Sequence, residues 1–312
     1  MDVSAGPKTG TVGVLVCTHH ASRIPMLGEA VASLRAQSRT PDALLVMVDG
    51  EAALAEEVRT ALPDVDVACT GRNQGVSYAR TEGARRMRTD WVVFMDDDAL
   101  AEPDWLEQLT SPLGEPDVLG ASGRSLPLFD APRPAWLPDE YLWAFGCSFR
   151  GLPDTTTRVR NFFGGAAAVR REVFLDLGGY STELGHAGRF VGGGEEALFC
   201  QRATQATGGT FVFVPAAAQR HHLPPDRLTW RYLTRRCFGE GVMKRRLQRL
   251  LPGDETLGDE RAFALRLPGQ ALGHVLHGRP LRAVGIVVAT LAVLAGLAYE
   301  SVAGLRSRGS RR

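Results

Sequence analysis

Between Val12 and Met95 short apolar runs alternate with longer amphipathic ones, and this rhythm limits the folds open to the chain more than any other feature. Val12 to Val16, Leu44 to Val48, Val65 to Cys69 and Trp91 to Met95 read as buried strands. Leu27 to Gln37, Ala52 to Ala61 and Val76 to Arg88 repeat apolar residues at helical spacing. Strands joined through helices pair in parallel, so the rhythm predicts an α/β fold with a mixed, mainly parallel sheet flanked by helices. Ligands of such sheets bind beyond the C-terminal strand ends. Thr18 to Ser22, Asp49 and Asp96 to Asp98 each follow a strand, which predicts that they converge on one crevice.

Beyond Asp98 the alternation stops. Leu126 to Pro153 is proline-rich, carries Trp136, Tyr141 and Trp143, and reads as a long loop or lid. An apolar block from Phe162 to Val173, the glycines Gly192 to Gly194, a helix from Glu196 to Thr207 and a strand from Phe211 to Val214 follow. Arg220 to Arg249 then holds nine Lys and Arg against two acids. Ala283 to Tyr299 is free of charge and mostly apolar, between Arg279 and Arg282 on one side and Arg306, Arg308, Arg311 and Arg312 on the other. As a helix it reaches about 25 Å, against about 30 Å of hydrocarbon, and continuing to Leu305 would span. It reads as a membrane-associating or transmembrane helix, with crossing and shallow insertion both open. The expected organisation is a flexible N-terminus (1–11) and a catalytic domain (12–218) with a donor half (12–100) and an acceptor half (101–218). A basic helical extension (219–280), an apolar helix (281–305) and a basic tail (306–312) complete it.

With 44% apolar and 23% charged residues the chain is neither disordered nor polytopic. A net charge of +1 argues against a dedicated nucleic-acid binder, which needs a large basic excess on its surface. Five widely spaced cysteines without a CxxC pair fit a reducing compartment, and Met1 to Thr11 lacks the pattern of a cleaved secretion signal. Three adjacent carboxylates, Asp96, Asp97 and Asp98, would repel one another in a crevice unless a hard cation joined them. Mg2+ or Mn2+ fits, because either ion takes one or two carboxylates and leaves positions for a diphosphate.

The residues Val14 to His20 (VLVCTHH), Val48-Asp49-Gly50, Asn73 to Arg80 (NQGVSYAR) and Phe94 to Asp98 (FMDDD) together resemble the inverting glycosyltransferases of family 2. Further matches follow in order: Phe163-Gly164-Gly165, Gly178-Gly179-Tyr180, Gly194-Glu195-Glu196, His222 with Arg227, and Arg235-Arg236. The resemblance covers roughly residues 12 to 245 and implies the nucleotide-sugar-binding GT-A fold. It places Thr18, Asp49, Arg80, Asp96, Asp97 and Asp98 on the nucleotide sugar, with Asp49 accepting from the base and Asp98, Asp96 and His222 on the metal. It makes Glu196, with Glu195 beside it, the base that takes a proton from an acceptor hydroxyl. Here Glu stands where the family has Asp, and Thr81 where it has Asn. Gly164, Gly165, Arg227, Arg235 and Arg236 fall on the acceptor side or the diphosphate.

The expected function is metal-dependent, inverting transfer from a nucleotide diphosphate sugar, of the uridine type, to a hydroxyl on a glycan or lipid-linked saccharide. The expected location is the cytoplasmic face of the cell membrane. Two other classes fit parts of the pattern: sugar nucleotidyl transfer, which usually brings a glycine-rich loop after the first strand, and an inactive nucleotide-sugar-binding or glycan-binding protein.

Overall fold

A computed structural model describes residues 10–162, 165–182, 184, 193–251 and 258–309, with side chains to 303. The rhythm of the first hundred residues becomes β1 (Val12–Thr18), α1 (Ile24–Arg35), β2 (Ala43–Val48), α2 (Ala52–Ala61), β3 (Asp66–Cys69), α3 (Val76–Arg86) and β4 (Trp91–Asp96). These four strands pair in parallel in the order β3-β2-β1-β4. Alternate side chains leave opposite faces of a strand, so each strand feeds two cores. Val14, Val16, Val46, Val93 and Met95 pack with Leu27, Val31 and Leu34 of α1. Leu15, Met47 and Phe94 pack with Ala79 and Ala84 of α3. Covering both faces explains why the strands read as continuous apolar runs, and each fully buried Val, Leu or Phe contributes about 1.5–3 kcal/mol.

The rest of the sheet is antiparallel. After β5 (Ala99–Ala101), α4 (Trp105–Thr110) and β6 (Val118–Phe129) come β7 (Thr157–Val159) and β8 (Ala166–Arg170), and β8 pairs with β4 from Trp91↔Arg170 to Met95↔Ala166. Short α5 (Arg171–Asp176), α6 (Glu195–Thr207) and β9 (Thr210–Leu223) follow, and β9 pairs with β5 and β7. The nine strands run β3-β2-β1-β4-β8-β6-β9-β5, with β7 against β9. Strand β9 is longer than its apolar stretch, Phe211 to Val214, and passes without a break through the domain boundary expected at 218.

Two compact units share the chain. Among the described residues, the first holds 10–126, 153–162, 165–182 and 195–221; the second holds 127–152, 184, 193–194, 222–251 and 258–309. Within the second, α7 (Trp230–Leu250), α8 (Gly258–Leu276) and α9 (Pro280–Gly309) enclose a core of Leu137, Tyr141, Phe145, Leu233, Cys237, Ile286 and Ala289. The segment expected to be a long loop or lid contains a 3-10 turn, Asp139–Phe145, whose fully buried Glu140 accepts from His274 Nε2 at 3.1 Å. Thr229 caps α7 by accepting from the Tyr232 amide at 3.2 Å. In α9, Pro280–Ala303 is long and apolar enough to cross a membrane. Of the expected terminal segments, residues 1–9 and 310–312 lie outside the described residues.

Candidate active site

The parallel strands deliver the first residues of the site together. Cys17, at the end of β1, sits opposite Asp96 at the end of β4, and Thr18 beside it is 1% exposed. Burial pushes the Cys17 thiol up to about 12, so it carries no thiolate nucleophile near neutral pH.

Asp49 follows β2 and is 3% exposed. Its carboxylate accepts from the Gln74 amide at 2.8 Å, the Gly75 amide at 2.7 Å and Thr70 Oγ1 at 3.1 Å. Gly75 has φ of +93°, a backbone state that favours glycine, and α3 starts immediately after it. Asp49 therefore fixes the turn that launches α3, and so the axis on which Arg80 sits.

Arg80 is buried, at 6% exposure, and binds two carboxylates. Nη2 donates to Asp96 Oδ1 at 2.7 Å, and Nη1 lies 3.4 Å from Glu196 Oε1. The guanidinium also lies over the Phe94 ring, 5.8 Å from its centroid. Burial works against its charge, but Asp96 and then Glu196 outweigh that and raise its pKa above the usual arginine value. Glu195 and Glu196 open α6 just after Gly194, whose φ is +115°. Glu195 is buried, whereas Glu196 keeps 16% of its side chain exposed.

Asp97 and Asp98 are 6% and 5% exposed. Arg23, at the junction of a short 3-10 turn and α1, donates from Nη1 to Asp97 Oδ1 at 2.9 Å and to Asp98 Oδ2 at 2.5 Å. Burial drives the Asp97 carboxyl up to about 6; Arg23 opposes this and Asp98 adds to it.

The chemistry of one cluster suits a cation. Asp96, Asp98 and His221 each present one donor atom, and all three atoms lie within 4.8 Å of one another. His221, 5% exposed, places Nδ1 3.3 Å from Asp98 Oδ1. Two carboxylate oxygens and an imidazole nitrogen form a donor set that Mn2+ accepts readily. A Cβ on Gly165 would stand 2.3 Å from Asp96 Oδ2, so glycine leaves the room in which that carboxylate sits. The Gly165 carbonyl is itself held by Gln219 Nε2 at 2.8 Å.

His222, the histidine expected on the metal, is instead hydrogen-bonded through Nδ1 to Asp130 Oδ1 at 2.7 Å, within the second unit. Successive residues of β9 point to opposite faces, so of the pair it is His221 that joins the aspartates. Arg227, Arg235 and Arg236 also belong to the second unit. Arg235 is exposed on α7, Arg236 Nε donates to the Ala144 carbonyl at 3.2 Å, and the Arg227 amide closes a turn onto Pro224 at 3.0 Å. Gly164 lies outside the described residues. Arg23 was not among the expected site residues: it closes the His19 to Arg23 stretch just after β1, one residue beyond the Thr18 to Ser22 segment expected at the crevice.

The family model described as "Glycosyl transferase family 2" matches residues 13–178, more than half of the chain. The chain belongs to glycosyl transferase family 2. A glucosyl-dolichyl phosphate glucuronosyltransferase of Haloferax volcanii is 34% identical over 256 residues, covering 81% of each chain. A mannosyltransferase from Pyrobaculum calidifontis, solved with GDP-Man and Mn2+, shares the fold at a TM-score of 0.59 and 17% identity. That match covers 94% of this chain and 90% of the other. GalNAc-T7, solved with UDP, GalNAc and Mn2+, matches at a TM-score of 0.53 and 19% identity, over 81% of this chain and 53% of its own. The family 2 chain is thus a glycosyltransferase with a GT-A fold, which sets aside the nucleotidyl-transfer and binding-protein readings.

Proposed function

We propose that this glycosyltransferase uses a nucleotide diphosphate sugar, of the uridine type, with Mg2+ or Mn2+, and transfers the sugar with inversion to a hydroxyl of a lipid-linked saccharide. The observation that carries the reading is the Asp96-Asp98-His221 cluster at the strand ends, joined through Arg80 to the carboxylate of Glu196. Mn2+ in both solved neighbours supports the cation. The Haloferax volcanii relative, by its name, supports a glycosyl lipid phosphate as acceptor and a glucuronosyl donor as the first to test. Such an acceptor, together with the apolar α9, supports work at a membrane, and we place that work at its cytoplasmic face.

Asp96, Asp98 and His221 would hold the cation, which when bound neutralises charge on the departing diphosphate. Glu196 takes the proton of the acceptor hydroxyl as that oxygen bonds to the anomeric carbon. The bond from that carbon to the diphosphate oxygen breaks on the opposite face, and its electron pair leaves with the nucleotide. Arg80 aims the Glu196 carboxylate through their charge-assisted contact at 3.4 Å. Arg23 supplies a second positive centre beside Asp97 and Asp98. An acceptor phosphate would already be ionised and would need no such base, so a base at Glu196 points to a hydroxyl.

The test is transfer from UDP-glucuronate to a glucosyl polyprenyl phosphate with Mn2+, with the anomeric configuration of the product read by NMR. A β-linked product from the α-linked donor is expected, and EDTA should abolish it. Retention of configuration, or undiminished turnover in EDTA, would contradict the reading.

A further inference from the structure

The second unit carries an apolar surface of unusual composition. On α9, Leu281, Val284, Val287, Leu291 and Leu294 recur every three or four residues and Val302 follows about two turns on, each 48–60% exposed. They form one helical stripe about 30 Å long. Surfaces that receive protein partners concentrate aromatic residues and arginine at their centre. These six residues are all aliphatic, and the one exposed aromatic on the helix, Tyr299 at 49%, lies near the C-terminal end of the stripe and not at its centre. The charges within Leu281 to Val302 are Arg282 and Glu300, and both are engaged by protein: Arg282 Nη1 meets Asp139 Oδ2 at 3.2 Å, and Arg249 Nη1 donates to Glu300 Oε1 at 2.8 Å. On α8, Leu265, Leu272, Val275 and Leu276 add further exposed aliphatic area, 50–82% exposed.

The other side of α9 is committed to α7. A Cβ on Gly296 would stand 2.0 Å from the Phe238 carbonyl oxygen, and one on Gly241 would stand 2.1 Å from the Val293 carbonyl oxygen, so the two backbones nearly touch. Helix α7 is not membrane material: it carries Glu240, Lys244, Arg245, Arg246 and Arg249. If α9 crossed a bilayer while packed in this way, it would carry those charges into hydrocarbon, where ionised side chains are rare and costly. The flanking charge suits a negative surface, since Gly258 to Arg312 holds eight Arg against three acids, and Arg261, Arg266 and Arg279 are exposed.

We propose that α9 lies in the plane of an anionic membrane, seated by its aliphatic stripe at the boundary of headgroups and acyl chains, and does not cross it. This rests on the membrane reading above and adds to it the orientation of the helix.

Two measurements on the full-length protein separate the possibilities. With an epitope at each end of the chain, sealed inside-out vesicles of the host membrane are treated with protease. Both epitopes should be digested, and both should survive in right-side-out vesicles. One epitope digested and the other protected would mean that the chain crosses, which overturns the in-plane placement but leaves membrane binding standing. In flotation with purified protein, phosphatidylcholine vesicles containing phosphatidylglycerol should carry the chain up, and pure phosphatidylcholine should bind it at least tenfold more weakly. The double variant L291D/L294D should lose vesicle binding at least tenfold while keeping its melting temperature. Absence of binding to either vesicle, or an apolar stripe consumed instead in concentration-dependent dimers, would overturn the membrane surface itself. Neither result touches the transfer chemistry, which is assayed separately.

Discussion

Replacing Arg80 with Met tests whether one guanidinium holds the two halves of the site together. Methionine keeps much of the stem volume but removes the charge, leaving Asp96 and Glu196 without the cation that now sits 2.7 Å and 3.4 Å from them. Breaking a buried pair by removing one partner costs about 3–5 kcal/mol. Asp96 keeps 33% of its side chain exposed and Glu196 16%, and water recovers part of that cost, so about 2–4 kcal/mol is expected. In a chain of 312 residues, such a loss lowers the melting temperature by roughly 3–6 °C. Arg80→Lys keeps a point charge that cannot span both carboxylates, so it should fall between the variant and the parent. The assay is differential scanning fluorimetry in EDTA, with donor turnover measured beside it. If Arg80→Met melts within about 1 °C of the parent, the bridge contributes nothing and the coupling of Glu196 to the donor side is wrong.

Asp97→Asn should stabilise the cation-free protein at pH 7. Burial lifts the Asp97 carboxyl to about 6, so the folded state holds its proton more tightly than the unfolded one. Its favourable contribution is present below the unfolded pKa and is lost as the pH rises towards 6. Two pH units correspond to roughly 3 kcal/mol, which a pH series of unfolding curves in EDTA would detect; a destabilised variant at pH 7 would refute this. Glu196→Gln should lower turnover about 10^2- to 10^4-fold with donor affinity nearly unchanged, measured by steady-state kinetics and donor titration. Gly165→Ala should weaken Mn2+ binding, because its Cβ meets Asp96 Oδ2, and calorimetric titration with the ion would show it.

Strands β1, β2 and β4 were legible because they are largely buried and read as short apolar runs, whereas the more exposed β3 was legible from its place in the alternation. The first four match their expected spans closely. Strand β9 was cut short because beyond Val214 it turns to alanine and polar residues while still pairing through His221. The same strand explains the histidine: choosing His222 over His221 is a one-residue difference, and in a strand that reverses the face. Asp49 and Arg80 stood out in the sequence as candidates, but the amides that hold one carboxylate and the two carboxylates around one guanidinium come together only in three dimensions. Arg23 was hidden because it falls just past the strand-end segment, at the start of a helix, where a cation reads as an ordinary surface charge.

The central claim is that Asp96, Asp98 and His221 hold a divalent cation beside the donor diphosphate. Titrating Mn2+ into the full-length protein with UDP present, and following the free-ion signal by electron paramagnetic resonance, measures this directly. The account predicts one bound ion per chain, at least tenfold weaker binding in Asp98→Asn and His221→Ala, and unchanged binding in His222→Ala. Equal Mn2+ affinity in all four proteins would contradict it.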